Sequence, residues 1–352
     1  MSKKEINKQE TYNKLTIILS IRDNHKMTTR WLNYALKKRV KFKIIIADGS
    51  KNKLVLHEKF STNLNIKVVS SEYDKDHITF MKKLSNVINN FVDTEFSLLA
   101  DNDDFYIFTK IEKYVTFLIN NKDYAGCCGN ILKFELKEIY KGKPTFTTIA
   151  KLKDFKDEEP IDRLFQILEI KNYREIYYDV MYSKILGAAI RDFIEINSND
   201  VNYRFLEFYI LVKVLSSGKL KTFDDIFLLR QEDYQSSTSN DLGTFESIFL
   251  PNWSHMYFNL LNYAYSKFKI DAENLNHRNL ITEKFTNLFK VHVAEKIINS
   301  GKYKITFFSF FRSKIKDSVI FNIFKYIKKN LRIYIFYLTK YKILNNIKKT
   351  IF

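Results

Sequence analysis

The sequence predicts an α/β fold, with a mostly parallel central sheet that is flanked by helices. Two observations support this prediction. Over the first 110 residues, short apolar runs rich in β-branched residues alternate with segments in which apolar residues recur at helical spacing. In addition, 45% of the 352 residues are hydrophobic and only 8 are glycine and 3 proline, a composition that suits a packed core and excludes a collagen-like or linker-rich chain.

The first half of the chain supplies strands and helices in alternation. Strands are expected at residues 15–21, 42–50, 65–70 and 95–100, and helices at 22–39 and 77–92. Each strand is a short apolar run, and the second helix has Ile78 and Met81 at helical spacing. Ligands of a parallel sheet bind beyond the carboxyl ends of its strands, where Asp48 and Asp101 lie.

The second half is expected to continue the fold and then to become helical. The predicted elements are a helix at 106–120, a strand at 124–134, a helix at 159–170, a short element at 181–190, a helix ended by Gly218 at 202–218, a strand at 220–230 and helices within 245–298. Residues 140–176 show no clear pattern outside their one helix. The predicted division is a domain at 1–240 with halves at 14–110 and 111–240, a helical extension at 241–300 and a basic, aromatic tail at 301–352.

Three carboxylates follow the fourth predicted strand, in the sequence Asp101-Asn102-Asp103-Asp104. Like charges at the end of a buried strand need a cation or another partner. If the strand stays extended, Asp101 and Asp103 share a face and Asp104 points elsewhere. Residues two apart on a strand are separated by about 7 Å, so one ion contacts both Asp101 and Asp103 only if the chain bends. One aspartate is therefore expected to bind Mg²⁺ or Mn²⁺ together with phosphate oxygens, and the other a pair of hydroxyls. The alternative is a solvated acidic turn.

The order of these motifs resembles the GT-A fold glycosyltransferases of the family 2 type. The matching segments are TIILSIRDN at 16–24, IIIADGS at 44–50, Asn86 and FSLLADNDDF at 96–105, within a resemblance that covers residues 14–235. The resemblance implies that Asp48 contacts the base of a nucleoside diphosphate sugar, that Asp101 contacts its ribose, and that Asp103 binds the Mn²⁺ or Mg²⁺ on its diphosphate. It makes Asp104 a competing metal ligand and places Asn86 on the donor-binding side.

The resemblance is weaker in the second half, where family members carry a general base and groups that bind the diphosphate. It implies that Glu207 takes the proton of the acceptor hydroxyl and that Arg230 binds the diphosphate. Each residue has a simpler alternative, because Glu207 could be a helix-surface residue paired with Arg204 and Arg230 a surface residue after a strand. Many relatives have a histidine shortly afterwards as a further metal ligand, and Asp233 is its possible substitute here.

Together with the acidic residues at the strand ends, the resemblance predicts a metal-dependent, inverting glycosyltransferase of the hexosyltransferase type that acts in polysaccharide biosynthesis. It would use a nucleoside diphosphate sugar and a glycan or lipid-linked acceptor. Two alternatives are a nucleotidyltransferase of the same fold and a non-enzymatic basic protein that binds membrane or nucleic acid. The first usually has a glycine-rich loop after the first strand, which Arg22-Asp23-Asn24 lacks, and the second gives no reason for acidic residues at neighbouring strand ends.

The tail at 301–352 carries thirteen lysines and arginines against one aspartate, which is +12 of the chain's net charge of +18. Its basic residues alternate with aromatic clusters, a pattern typical of an interfacial helix on an anionic membrane. A helical cap or a nucleic-acid-binding segment would have the same composition. The favoured interpretation is a membrane surface, and no nucleic acid partner is expected.

The cysteines and the apolar segments bear on the location of the protein. Cys127 and Cys128 are adjacent and do not readily form a disulfide, which favours a reducing compartment. No segment has the pattern of a signal peptide or a transmembrane helix. The expected location is the cytoplasm, peripheral to the inner face of the membrane. His25 and His77 lack zinc-ligand spacing and are expected to be structural or solvated.

Overall fold

The computed structural model of the protein describes residues 8–136, 144–169, 174–197, 202–232 and 252–299. The predictions for the tail at 301–352 and for Asp233 lie outside these residues. So does most of the polar loop that follows the strand predicted at 220–230.

The described residues contain one sheet of nine strands. The strands are β1 Leu15–Ile21, β2 Lys43–Asp48, β3 Ile66–Ser70, β4 Phe96–Asp101, β5 Phe105–Tyr106, β6 Tyr124–Glu135, β7 Thr145–Ala150, β8 Val180–Tyr182 and β9 Lys219–Gln231. Their spatial order is β3-β2-β1-β4-β8-β6-β9-β5, and β7 pairs with β6 beside this path. Strands β1 to β4, β6 and β9 run in one direction, and β5, β7 and β8 run in the other. The predicted α/β fold with a mostly parallel sheet is confirmed.

The described helices lie on the faces of this sheet and beyond its last strands. They are α1 Lys8–Tyr12, α2 His25–Lys37, α3 Glu58–Asn63, α4 His77–Phe91, α5 Phe108–Asn120, α6 Pro160–Ile167, α7 Ser183–Asn197, α8 Tyr203–Ser217, α9 Trp253–Lys267 and α10 Leu275–Asn299. Among the residues that the structure describes, no helix combines the length and the apolar character needed to cross a bilayer.

The first four parallel strands form where the sequence predicts them. The apolar runs of β1, β2 and β4 are buried on both faces, whereas the edge strand β3 is partly exposed. Ile17, Ile18 and Leu19 of β1 have no exposed surface, and neither do Ile44 to Ile46 of β2. A strand covered on both faces is apolar at successive positions instead of alternate ones. The helix predicted at 77–92 is α4, which begins at an Asp76 capping box in which the Asp76 side chain accepts a hydrogen bond from the backbone N–H of Thr79.

The second half departs from the predicted order of elements in two places. The short element predicted at 181–190 divides into the end of β8 and the start of α7, and β8 inserts antiparallel between β4 and β6. Strand β7 forms within 140–176, where the sequence shows no clear strand pattern. β8 has only three residues, too few to show a pattern, and none of the six residues of β7 is buried, so β7 lacks the buried apolar run of β1, β2 and β4. The end of α8 at Gly218 is confirmed, and a Cβ there would lie 2.8 Å from the Asp123 carbonyl oxygen.

Helices α9 and α10 share the hydrophobic core of the sheet-containing part through an aromatic cluster. Phe208 of α8 packs edge-on against Phe285 of α10, with ring centroids 5.8 Å apart. Phe205 of α8 lies 5.9 Å from the ring of Trp253 in α9. The last described helices therefore pack directly on α8, the helix that also carries Glu207.

Candidate active site

A cavity of about 770 Å³ opens at the carboxyl ends of β1 and β4. Its walls come from the turn after β4, the start of α4, the exposed side of α8 and the last residues of β9. The predicted residues Asp101, Asp103, Asp104, Glu207 and Arg230 all line it. These residues are up to 129 positions apart in the sequence, and the fold brings them to one space.

The acidic cluster forms because β4 ends at Asp101 and the chain then turns. The Asn102 side-chain amide holds the turn by donating to the Asn24 carbonyl oxygen at 3.2 Å and to the Thr28 hydroxyl at 3.0 Å. As a result, Asp101, Asp103 and Asp104 each offer a carboxylate oxygen within 4.8 Å of the others. The expectation that Asp104 points away from the other two is wrong, because it assumed an extended strand.

The second half of the chain holds two of these carboxylates in place. The Tyr178 hydroxyl donates to Asp101 Oδ2 at 2.5 Å. The backbone N–H of Gln231 in β9 donates to Asp104 Oδ1 at 3.0 Å, and only 2% of Asp104 is exposed. Sequence reasoning missed Tyr178, which lies in a segment without a clear pattern.

Burial and mutual repulsion make the ionised cluster unfavourable without a cation. Burial raises the pKa of Asp101. Burial and the charge of Asp101 raise the pKa of Asp103 to about 6, and burial with the charge of Asp103 raises the pKa of Asp104 well above its ordinary value. Closely spaced carboxylate oxygens are the ligands that Mg²⁺ and Mn²⁺ prefer. The donor set therefore fits a hard divalent cation, which would neutralise the repulsion.

Two arginines add positive charge beside the cluster. Arg230 Nη1 forms an ion pair with Glu175 Oε2 at 2.7 Å, and its guanidinium lies 5.1 Å from the centre of the Tyr178 ring. Its charge acts to lower the pKa of Asp101, Asp103 and Asp104. Arg30 of α2, which sequence reasoning missed, donates to the Asp103 carbonyl oxygen at 3.3 Å.

Glu207 lines the cavity from α8, one helical turn after Tyr203. Burial raises the pKa of Tyr203 well above its ordinary value, and the negative charges of Glu207 and Asp101 raise it further. The ring of His77, at the start of α4, lies 6.4 Å from the Tyr203 ring. Glu207 thus occupies a half-buried position beside aromatic side chains, and its proposed role as a base stays a prediction.

Two predicted donor-binding residues do not line the cavity. Asp48 is fully buried at the end of β2, where its Oδ1 accepts from the Ser50 N–H at 2.8 Å and its Oδ2 from the Leu54 N–H at 2.7 Å. Asn86 is exposed on α4 and accepts from the Asn90 side chain at 2.7 Å. Asp48 organises the loop after β2, and the donor-binding roles of both residues stay predictions.

A buried ion pair next to the cavity was not anticipated. Lys83 of α4 and Asp74 form it, and each side chain is only 1% exposed. Burial raises the pKa of Asp74, and the Lys83 charge opposes this shift. One signal in the sequence indicates that Lys83 is buried. It precedes Val87 by four residues, so it lies on the apolar face of α4.

Comparisons with known proteins assign neither a family nor a function to this chain. No known protein-family model matches the chain, and no curated protein matches it. Among solved structures, S. aureus TarS is similar over 74% of this chain and 44% of that chain, with 14% sequence identity and a TM-score of 0.42. The chain therefore spans less than half the length of TarS. Membership of family 2 stays a prediction, and the functional assignment depends on the residues of the cavity.

Proposed function

We propose that the chain is a metal-dependent glycosyltransferase, which transfers a sugar from a nucleoside diphosphate sugar to a hydroxyl group of a glycan or lipid-linked acceptor. The observation that carries this proposal is the cluster of Asp101, Asp103 and Asp104 in one cavity with Glu207 and Arg230. The cavity volume of about 770 Å³ falls within the range of ligand sites in proteins.

The diphosphate of the donor would bind at the acidic cluster. Asp101, Asp103 and Asp104 would hold Mg²⁺ or Mn²⁺, which supplies positive charge to the leaving diphosphate when it is bound. Arg230 adds a second positive charge through a planar guanidinium, whose paired N–H donors match phosphate oxygens. Tyr178 keeps Asp101 in one orientation, because burial raises the pKa of this tyrosine well above its ordinary value and the hydroxyl remains a donor.

The transfer step needs a base on the acceptor side of the cavity, and Glu207 is the candidate. The acceptor oxygen forms a bond to the anomeric carbon while the bond from that carbon to the phosphate oxygen breaks. The nucleoside diphosphate leaves with the electron pair, and the acceptor proton goes to the Glu207 carboxylate. A single displacement of this kind inverts the configuration at the anomeric carbon.

A thermal-shift screen tests donor binding. The full chain is heated with UDP, dTDP, GDP, CDP and ADP, each with and without Mn²⁺, since a ligand that binds the native state raises its apparent stability. At least one nucleotide is expected to raise the melting temperature more with Mn²⁺ than without it. The double variant Asp101→Asn/Asp103→Asn should lose the Mn²⁺-dependent part. No shift with any nucleotide would overturn the proposal.

Product analysis separates sugar transfer from nucleotide transfer by the same fold. Sugar transfer or slow donor hydrolysis releases a nucleoside diphosphate from a nucleoside diphosphate sugar. Nucleotide transfer instead releases pyrophosphate from a nucleoside triphosphate. Nucleoside diphosphate is the expected product, and pyrophosphate release from a triphosphate alone would assign the chain to the other class.

A further inference from the structure

The short segment 174–179, just before β8, contacts both charged parts of the cavity. The Tyr178 hydroxyl donates to Asp101 Oδ2 at 2.5 Å. The ring of the same tyrosine lies under the guanidinium of Arg230, whose Cζ is 5.1 Å from the ring centre. Glu175, three residues earlier, accepts from Arg230 Nη1 at 2.7 Å. The segment therefore connects a carboxylate of the acidic cluster with the arginine beside that cluster.

The two ends of this segment are fixed inside the protein. Arg174 Nη1 and Asp179 Oδ1 form an ion pair at 2.7 Å, and their side chains are 2% and 4% exposed. The Asp179 backbone N–H also donates to the Ile176 carbonyl oxygen at 3.0 Å. Tyr178 is buried, and its ring packs edge-on against the Tyr177 ring with centroids 5.0 Å apart. A side chain packed in this way keeps one orientation.

The groups that Tyr178 contacts are both within reach of a ligand. Asp101 and Arg230 line the cavity, Asp101 is half-buried, and the Arg230 side chain is 31% exposed. A guanidinium has five N–H donors, so the ion pair with Glu175 by itself leaves donors for phosphate oxygens. A cation held at the acidic cluster would bind oxygens of the same diphosphate. The position of Asp101 relative to Arg230 decides whether the cation and the arginine can do so together.

We propose that Tyr178 is the positioning residue that fixes Asp101 and Arg230 relative to each other, so that the cation and the arginine hold one diphosphate together. This inference rests on the proposed glycosyltransferase function and deepens it. The hydroxyl acts on the metal side, because a hydrogen bond to a ligating carboxylate orients that ligand. The ring acts on the arginine side, where cation–π attraction holds the guanidinium above it.

The two contacts use different parts of one side chain, so two substitutions separate them. Tyr178→Phe removes the hydroxyl and keeps the ring. Tyr178→Leu removes both and leaves an apolar side chain in the buried position. The matched control is Tyr263→Phe, which removes the hydroxyl that donates to Asp192 Oδ2 at 2.9 Å between α9 and α7. Tyr263 is also buried, and it lies outside the cavity lining.

Electron paramagnetic resonance of free Mn²⁺ measures the metal affinity of the full chain without nucleotide and without turnover. Tyr178→Phe and Tyr178→Leu should each bind Mn²⁺ about tenfold to a hundredfold more weakly than the unaltered protein, because both lack the hydroxyl. Tyr263→Phe should bind Mn²⁺ as the unaltered protein does. An unchanged affinity in a Tyr178→Phe protein that melts cooperatively would overturn the inference. An equal loss in Tyr263→Phe would do the same, since the effect would then be one of general stability.

Calorimetry with inorganic pyrophosphate tests the arginine side, at Mn²⁺ concentrations that saturate each variant. Tyr178→Phe should bind pyrophosphate nearly as tightly as the unaltered protein. Tyr178→Leu should bind it about threefold to thirtyfold more weakly, the range for a lost cation–π contact. When each substitution is combined with Arg230→Ala, the two proteins should bind pyrophosphate equally, because no guanidinium remains to be positioned. Equal affinity of the Phe and Leu variants with Arg230 present would contradict the role of the ring.

The failure of this inference can be told apart from the failure of the proposed function. Absence of Mn²⁺ binding by the unaltered protein would reject the proposed function and this inference with it. Mn²⁺ binding that is equally tight with and without the Tyr178 hydroxyl would reject this inference alone. The Tyr178→Phe arm decides the question even if Tyr178→Leu does not fold, because phenylalanine fills the same buried space.

Discussion

The two halves of the sheet are built on different principles. The first, with β1 to β4, is a set of parallel strands, of which β1, β2 and β4 are buried on both faces. The second, with β5 to β9, mixes directions and inserts the short antiparallel β8 between β4 and β6. The first half supplies the acidic cluster, and the second holds it through Tyr178 and Gln231. The difference teaches that the three carboxylates of the cluster are local in sequence, whereas the contacts that orient them come from distant residues.

The largest effect is expected from removing a charge that the first half supplies. Asp103→Ala should lower turnover by about a thousandfold or more, since charge stabilisation by a bound metal contributes several kcal/mol. The melting temperature should stay unchanged or rise, because burial and the charge of Asp101 raise the Asp103 pKa to about 6 and make its ionisation unfavourable in the fold. Steady-state assays and thermal melts measure both, and full activity would remove Asp103 from the site.

The proposed acceptor-side base, Glu207 in the second half, should give the next largest effect. Glu207→Gln should lower kcat by about 10²–10⁴-fold, the range for general base catalysis, without changing nucleotide affinity. Calorimetry and rate measurements separate the two quantities. Glu195→Gln, on the exposed side of α7, is the matched control and should behave as the unaltered enzyme. Wild-type turnover in Glu207→Gln would show that another group takes the proton.

A buried ion pair tests how strongly paired buried charges stabilise the second half. Arg174 Nη1 and Asp179 Oδ1 lie 2.7 Å apart, with side chains 2% and 4% exposed. Asp179→Ala leaves the arginine charge buried without its partner, which should lower the free energy of unfolding by about 3–5 kcal/mol. Urea denaturation measures the loss. A loss under about 1 kcal/mol would indicate that water reaches the guanidinium, in which case the pair behaves as an exposed one.

The smallest effect is expected from an exposed pair in the same half. Lys113 Nζ lies 2.7 Å from Asp225 Oδ2, and half of its side chain is exposed. Lys113→Ala should lower the free energy of unfolding by no more than about 1 kcal/mol at pH 7. A loss comparable to that of Asp179→Ala would contradict the distinction between buried and exposed pairs.

The same pair has a defined pH dependence. Burial acts to raise the pKa of Asp225, but hydrogen bonds from Lys113 and Lys110 outweigh it and lower the pKa. A carboxyl group with a lowered pKa stabilises the fold at pH values above its pKa in the unfolded chain, about 3.9. This stabilisation is lost as the pH falls through the pKa of the group in the folded protein. The stability difference between Lys113→Ala and the unaltered protein should therefore shrink below about pH 4, as measured by urea denaturation. A stability difference between the two proteins that stays constant down to pH 3 would contradict this pH dependence.

Much of the fold could be read from sequence where the pattern is local. The four parallel strands, α2 and α4 are predicted by apolar runs and helical spacing, and the structure confirms them. Strand β7 was not predicted, because none of its six residues is buried and it lacks the apolar run that marks the parallel strands, although it pairs with β6, the strand before it in the chain. Within the site, the acidic cluster was evident from the order of residues after the fourth strand. Tyr178 and Asp74 were not evident, since neither belongs to a distinctive local pattern.

The sequence by itself determined the four parallel strands and that acidic residues lie at the carboxyl ends of two of them, β2 and β4. These features depend on neighbours within a few residues. Only the tertiary structure decided that the turn after β4 gathers all three carboxylates, that Asp48 turns its oxygens to its own loop, and that Asp74 pairs with Lys83 in a buried position. Those outcomes depend on contacts across long separations, such as the 127 residues between Asp104 and Gln231. Burial and charge balance between distant segments select them, and no local pattern encodes that balance.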